Sequence, residues 1–289
     1  MSNFIINICI IVCIIGCSEK NATTFNKYPT HKNDLQKANI NGSVKSVTLY
    51  QPHSIGDTST QSYQITIFNT SGFIAQQINY DTLGRINTKN LFTYESDNDL
   101  KNMTVYENDT LRFEYECIKT RFYKFCVTKD FNNNIINLQY FNLKNEKSQE
   151  YQFLKGKLSG KIIYMYDENG ALISQRLWHD GELAFESTFI NNERSFPKEV
   201  STTTYISDRI NTRSKMLFDY DNYQNILLIK EIRNSKMSNQ KSFFYEYDSM
   251  NNWIVQNIVS GVNGIENDSI NYIINKNIVE VNRKFEYYK

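Results

Sequence analysis

"KIIYMYDENGALISQRLWHDGEL" (161–183) reads as strand, corner, strand, tight turn and strand in a single line. Apolar and polar residues alternate through "KIIYMYD", as they do in "LRFEYEC" (111–117) and "KSFFYEYD" (241–248). That period of two is the pattern of a β-strand with two unlike faces. In the corner "YDENGAL" (166–172), Asp167 stands where a carboxylate accepts nearby backbone N–H groups, and Gly170 takes a positive φ without steric cost. The phrase recurs as "YDTLGRI" (80–86), "YDNYQNI" (220–226) and "YDSMNNW" (247–253). The corner residues are therefore Tyr80, Asp81 and Gly84; Tyr166, Asp167 and Gly170; Tyr220 and Asp221; and Tyr247, Asp248 and Asn251. Gln224 is the odd member, because Gln gains little from a left-handed conformation.

Weaker copies fill the gaps. "FNTSGFI" (68–74) and "YESDNDL" (94–100) fit the phrase, and "YENDTL" (106–111) and "WHDGEL" (178–183) are one residue shorter. Tyr80, Tyr94 and Tyr106 are spaced by one strand plus one turn, so successive corners fall on opposite edges of an antiparallel meander. The fold expected is all-β: a repetitive antiparallel meander forming a curled single-layer or partly closed sheet. The 20 Tyr and 18 Phe supply its cross-strand packing. No long helix is expected after residue 40, and a short one is read at "NDLQKAN" (33–39).

Three segments divide the chain: 1–16, 17–39 and 40–289. "FIINICIIVCIIG" (4–16) is nearly all apolar, too short for a helix to cross a hydrocarbon core of about 30 Å, and has the length of a signal-peptide core. "IIGC" (14–17) resembles the lipobox of bacterial lipoproteins, although the preceding "MSN" lacks Lys and Arg. The resemblance implies cleavage before Cys17, acylation of its thiol and anchoring in a membrane of the cell envelope, in the periplasm or at the surface. "SEK" after Cys17 resembles the tags that send some lipoproteins to the outer surface. Residues 18–39 read as a polar tether that spans about 25 Å as a flexible coil.

The corners resemble the YD repeats of Rhs-type proteins and of related Tyr/Asp hairpin-repeat lipoproteins, over roughly residues 33–289. Rhs shells are far larger and enclose a toxin; this chain is too short to build such a shell.

Cys9 and Cys13 fall in the removed segment, which leaves Cys117 and Cys126 in "YECIKTRFYKFCVT" (115–128). On neighbouring strands they form either a disulfide, which persists in an oxidising compartment, or two small buried apolar side chains. Their spacing does not choose.

Little else carries chemistry. His31, His53 and His179 are far apart, and no paired metal-ligand spacing occurs. Phosphate-loop, dinucleotide and hydrolase-elbow motifs are absent. With 32 basic and 31 acidic residues the chain has no electrostatic footprint for nucleic acid, and "RFYKF" (121–125) reads as cross-strand packing. Most Asp residues already have turn roles, so a glycan-cleaving carboxylate pair is the weakest reading. Trp178 and Trp253 are the candidate binding aromatics; for each the plainer reading is packing beside a corner.

The expectation is a non-enzymatic envelope lipoprotein, without cofactor or metal, whose sheet presents a binding surface to a protein or glycan. The alternative is an immunity lipoprotein that neutralises a secreted toxin, which the likeness of small Tyr/Gly hairpin-repeat proteins to antitoxins implies.

Overall fold

The structure, a computed structural model, describes residues 33–51, 53–54, 61–95, 99–120, 123–142, 144–207, 209–264 and 272–288. Cys17, the signal segment and His31 lie outside the described residues. A four-residue helix, α1 (Asp34–Lys37), precedes nineteen strands. These are β1 (Val44–Tyr50), β2 (His53–Ser54), β3 (Tyr63–Phe68), β4 (Ile74–Tyr80), β5 (Ile86–Tyr94), β6 (Leu100–Glu107), β7 (Thr110–Lys119), β8 (Lys124–Asp130), β9 (Ile135–Phe141) and β10 (Lys147–Leu154). They continue as β11 (Lys157–Tyr166), β12 (Leu172–His179), β13 (Glu182–Asn191), β14 (Pro197–Ile206), β15 (Arg209–Tyr220), β16 (Ile226–Arg233), β17 (Lys236–Tyr247), β18 (Trp253–Gly264) and β19 (Tyr272–Tyr287).

Each strand from β3 to β18 pairs antiparallel with the next, and β1 pairs antiparallel with both β3 and β19. Short β2 lies beside β1 on the flank of β19. The other eighteen strands form a closed ring, and an even number lets the first and last meet antiparallel. This corrects the expected curled or partly closed sheet: the meander is right, but the sheet closes into a barrel. The closing pairs, such as Val47 with Phe285 and Leu49 with Arg283, join opposite ends of the chain. Locally they look like any other half-apolar strand pair, so no short stretch announces the seam. Closure removes both open edges, the main aggregation hazard of a long meander.

The two rims are built differently. At one, the fully described reversals, at 69–73, 167–171, 192–196, 221–225 and 248–252, are wide corners; β5 to β6, β7 to β8 and β9 to β10 also reverse there, β1 starts there and β19 ends there. At the other, most reversals are two-residue turns. Asn108 and Asp109, Lys155 and Gly156, Asp180 and Gly181, and Asn234 and Ser235 all have positive φ at both positions. That is the geometry that suits the right-handed twist of a hairpin. Among the described residues two wide corners, opening at Asp81 and Asp130, share this turn rim. The shortened copies of the corner phrase are thus the reversals of the opposite rim.

Crowding distinguishes the faces. Val47, Phe68, Cys126, Glu150, Ile162, Tyr164, Ser187, Val200 and Val281 are buried and share one face by register. Side chains converge on the concave side of a curved sheet, so this face lines the lumen. A ring of 18 strands is too wide for side chains to fill, and most lumenal residues are only partly covered. Among the described residues a compact apolar cluster sits at the corner rim, where Leu35 of α1 packs on Val44, Val47 and Phe68. Asn33 and Gln36 form a capping box at the start of α1, and Leu35 donates its N–H to the Gly72 carbonyl.

Candidate functional site

The corner phrase has a shared hydrogen-bond plan. In the corner opening at Asp167, the carboxylate accepts from the N–H groups of Asn169 and Ala171, and the backbone closes through Gly170 N–H to Asp167 C=O. Asn69, Asp81, Asp130, Asn142, Asn192 and Asp248 repeat the plan. Gly84, Gly170, Gln224 and Asn251 all have positive φ at the fourth corner position, with Gln224 at +69°.

The tyrosines explain why the phrase begins as it does. At the corner rim they point into the barrel and reach sideways to the preceding corner. Tyr94 donates its hydroxyl proton to Ile74 C=O, Tyr166 to Lys147 C=O and Tyr220 to Pro197 C=O. Tyr247 reaches the Asp221 carboxylate, Tyr287 that of Asp248, and Tyr288 crosses the seam to Phe68 C=O. Asn191 makes the same contact through its amide, to Leu172 C=O. Burial, reinforced by neighbouring carboxylates, raises the Tyr94, Tyr166, Tyr247 and Tyr287 phenols, so each stays protonated and donates. Burial pushes the Asp248 carboxyl up, but bonds from Tyr287, Asn252 and Met250 more than offset this and hold it below its ordinary value. Tyr80 is different: it lies at the turn rim, on the outer face, and stacks on Tyr63 with centroids 4.6 Å apart.

Two lumenal regions are polar. Across β3, β4 and β5, Gln64, Asn79, Gln77, Thr88 and Asn90 hydrogen-bond from strand to strand. On the wall around β10, the Glu150 carboxylate accepts from Asn137 at 2.8 Å, Lys147 at 2.8 Å, Tyr164 at 3.2 Å and Gln152 at 3.3 Å. Burial pushes Glu150 up, yet Lys147 and the amides more than offset it, leaving its pKa below the usual value. So many donors make Glu150 a structural hub rather than a proton donor for catalysis.

The outer face carries the most accessible candidate site. Phe125, Tyr140 and Tyr151 form a ladder of rings across β8, β9 and β10, with successive centroids 6.2 and 5.9 Å apart. Beside it a hollow of about 480 Å³ is lined by Leu138, Tyr140, Gln149, Tyr151, Phe153 and Leu158. Leu158 also lines a second hollow, of about 300 Å³, with Lys161, Ile163 and Trp178. The two make one trough over β9 to β12. The Tyr151 hydroxyl donates to Gln149 at 2.6 Å, and Lys161 lies 5.6 Å from the Tyr151 ring. Tyr140 is 39% exposed and Leu158 53% exposed. Ring faces bordered by amide, hydroxyl and ammonium groups suit a ligand with apolar faces and polar edges.

Of the expected aromatics, only Trp178 reaches this trough. Trp253 lies inside the barrel, between Tyr245 and the guanidinium of Arg283. Cys117 and Cys126 face each other directly across β7 and β8, joined as a disulfide with Cα atoms 4.0 Å apart. His53 lies in β2, and His179 ends β12 with its Nε2 3.4 Å from Asp180. Among the described residues no group of three metal-ligating side chains gathers, and no helix is long and apolar enough to cross a membrane. The trough and Arg283 were missed in sequence. Their signal is parity: Tyr140 and Tyr151 share the outward register, and Arg283 falls in the inward register with Val281 and Phe285.

No protein-family model and no curated protein matches the chain. Among solved structures, a porin-like protein from Bacteroides uniformis aligns with TM-score 0.43 at 12% identity, covering 84% of this chain and 98% of that one. A porin-like protein from Bacteroides vulgatus aligns with TM-score 0.39 at 10% identity, covering 71% and 95%. The TcdB2-TccC3-Cdc42 structure aligns with TM-score 0.29 at 11% identity, covering 72% of this chain and 14% of that one. Likenesses this remote carry no functional argument, which rests on the chain's own residues.

Proposed function

We propose that the chain is a non-catalytic receptor of the bacterial envelope: a closed barrel standing in water, tethered through a lipid on Cys17, that holds a glycan in its outer aromatic trough. The charged outer wall supports the first part. Glu114, Lys161, Arg176, Glu186, Lys215 and Lys230 occupy outward positions within their strands. Arg176 pairs with Glu186 at 2.6 Å and Lys215 with Glu199 at 2.9 Å. A barrel embedded in lipid carries an apolar outer band about 25 Å tall, and each Lys or Arg at its midplane costs about 2–4 kcal/mol. This wall suits water, so membrane association falls to the N-terminal segment, which leads into α1 at the corner rim.

The observation that carries the ligand class is the trough's pairing of ring faces with Gln149, Ser148 and Lys161. Sugars stack C–H faces on aromatic rings and hydrogen-bond at their edges. The test is a glycan array followed by calorimetry on the best ligand. Trp178→Ala and Tyr151→Ala each weaken binding about tenfold or more, the scale of a lost anchor ring. No glycan binding, or binding by both variants undiminished from wild type, sinks the glycan reading and turns the search to protein partners. Separately, Cys17→Ala releases the chain to the soluble fraction; unchanged membrane association refutes the tether.

A further inference from the structure

Arg283 stands on the lumenal face of β19. It lies in one cross-strand row with Leu49, Gln64, Asn79 and Thr88. Its guanidinium carbon lies 3.6 Å from the centroid of the Trp253 ring. Its Nε is covered by protein and has no hydrogen-bond partner. Among the described residues no carboxylate pairs with it, in contrast to Arg176 across the wall, which has Glu186. Burial lowers its pKa to about 10, with the Tyr245 phenol acting in the opposite direction, so the group remains a cation at neutral pH. Withdrawing a cation from water without a counter-charge is costly, and stacking on an indole returns only part of that cost. The barrel thus holds a charge that none of the described residues neutralises.

We propose that Arg283, held flat on Trp253, is a lumenal anion-binding site, taking a carboxylate, phosphate or sulfate group. Stacking occupies one face of the planar guanidinium. The terminal N–H groups remain for an anion to approach in the plane, where bidentate bonding is strongest. The site is separate from the outer trough and stands whether or not that trough binds glycans.

The experiment is thermal unfolding of the purified barrel against increasing inorganic phosphate, and separately against digalacturonate, at constant ionic strength so that screening is fixed. The wild-type chain should show a saturable rise in Tm. Arg283→Met should abolish that rise and, in anion-free buffer, melt at or above the wild-type temperature, because the uncompensated charge is gone. A merely structural arginine would instead lower the melting temperature of the variant. If Arg283→Met does not fold, Arg283→Lys keeps the charge but loses the planar fork, and its apparent affinity should fall about tenfold or more. Tighter binding of digalacturonate than of phosphate assigns the site to acidic saccharides, and the reverse assigns it to free anions; both support the site. No saturable rise in the wild type, or an undiminished rise in the folded variant, overturns it.

Discussion

The two rims of the barrel reverse the same strands by different means. The turn rim uses mostly two-residue turns, in which two residues accept positive φ and no side-chain carboxylate is needed to close the loop. The corner rim uses wider loops that accept backbone N–H groups on an Asx side chain and are tied to one another by tyrosine hydroxyls. The turn rim is tied sideways by single backbone bonds, from Asn108 N–H to Asn87 C=O, Asp180 N–H to Ser159 C=O and Asn234 N–H to Arg213 C=O; the corner rim adds a belt of side-chain ties. The reversal that opens at Thr120 tests the rule, because it, like the one that opens at Glu95, lacks the Asx residue. Its hairpin is held instead by Thr120 bonds to Tyr123 and by the Cys117–Cys126 disulfide. The belt also bears the seam, α1 and the entry of the N-terminal segment. The more elaborate rim is therefore the one that must lock a ring whose ends are distant in sequence.

Breaking the belt at Asp248 should have the largest effect. Asp248→Ala leaves two backbone N–H groups and the Tyr287 hydroxyl without their acceptor. A loss of about 3 kcal/mol is expected in urea unfolding. At the turn rim Asp180→Asn, which keeps the tolerance for positive φ, should shift stability by no more than about 0.5 kcal/mol. Equal effects would abolish the distinction between the rims. Removing the disulfide with Cys117→Ser and Cys126→Ser together should cost about 2–3 kcal/mol, and hydrogen exchange should rise first in β7 and β8.

The pH dependence follows from the carboxylates of the belt and lumen. Asp248 and Glu150 have lowered folded-state pKa values. Their contribution is full above the unfolded values of about 4 and is lost as pH falls through the lower folded values. Acid titration of stability should therefore decline below about pH 4, less steeply in Asp248→Asn. A decline that is identical in that variant would remove Asp248 from the account. Tyr220→Phe deletes a single hydroxyl bond, to Pro197 C=O, and should cost about 1 kcal/mol. Smallest, Gln224→Gly relieves a left-handed glutamine at φ +69° and should stabilise by up to about 1 kcal/mol. A destabilised Gln224→Gly would mean that this side chain makes a contact outweighing its backbone strain.

Much of this comparison is legible in the chain. Asp at a corner start and Gly or Asn three residues later identify wide corners, because an Asx acceptor and positive φ are local requirements. "YENDTL" and "WHDGEL" differ from them by one residue, and that residue decides the turn type. Tyr80 shows the limit: "YDTLGRI" matches "YDENGAL" letter for letter at its key positions. Yet Tyr80 faces outward at the turn rim while Tyr166 faces inward at the corner rim. The phrase encodes a reversal, not a rim or a face. Trp178 and Trp253 also read alike, beside corners, and were separated only by register into an outer trough and a lumenal stack.

The sequence by itself determined an antiparallel meander, the chemistry of its reversals and the need for cross-strand aromatics, since each depends on neighbours within a dozen residues. Only the tertiary structure decided that the ring closes, which face is the lumen, and that Arg283 stands there, stacked on Trp253 and with no paired carboxylate among the described residues. Those outcomes depend on the pairing of β1 with β19 and on the summed twist and curvature of eighteen strands. Neither quantity resides in any single stretch of chain.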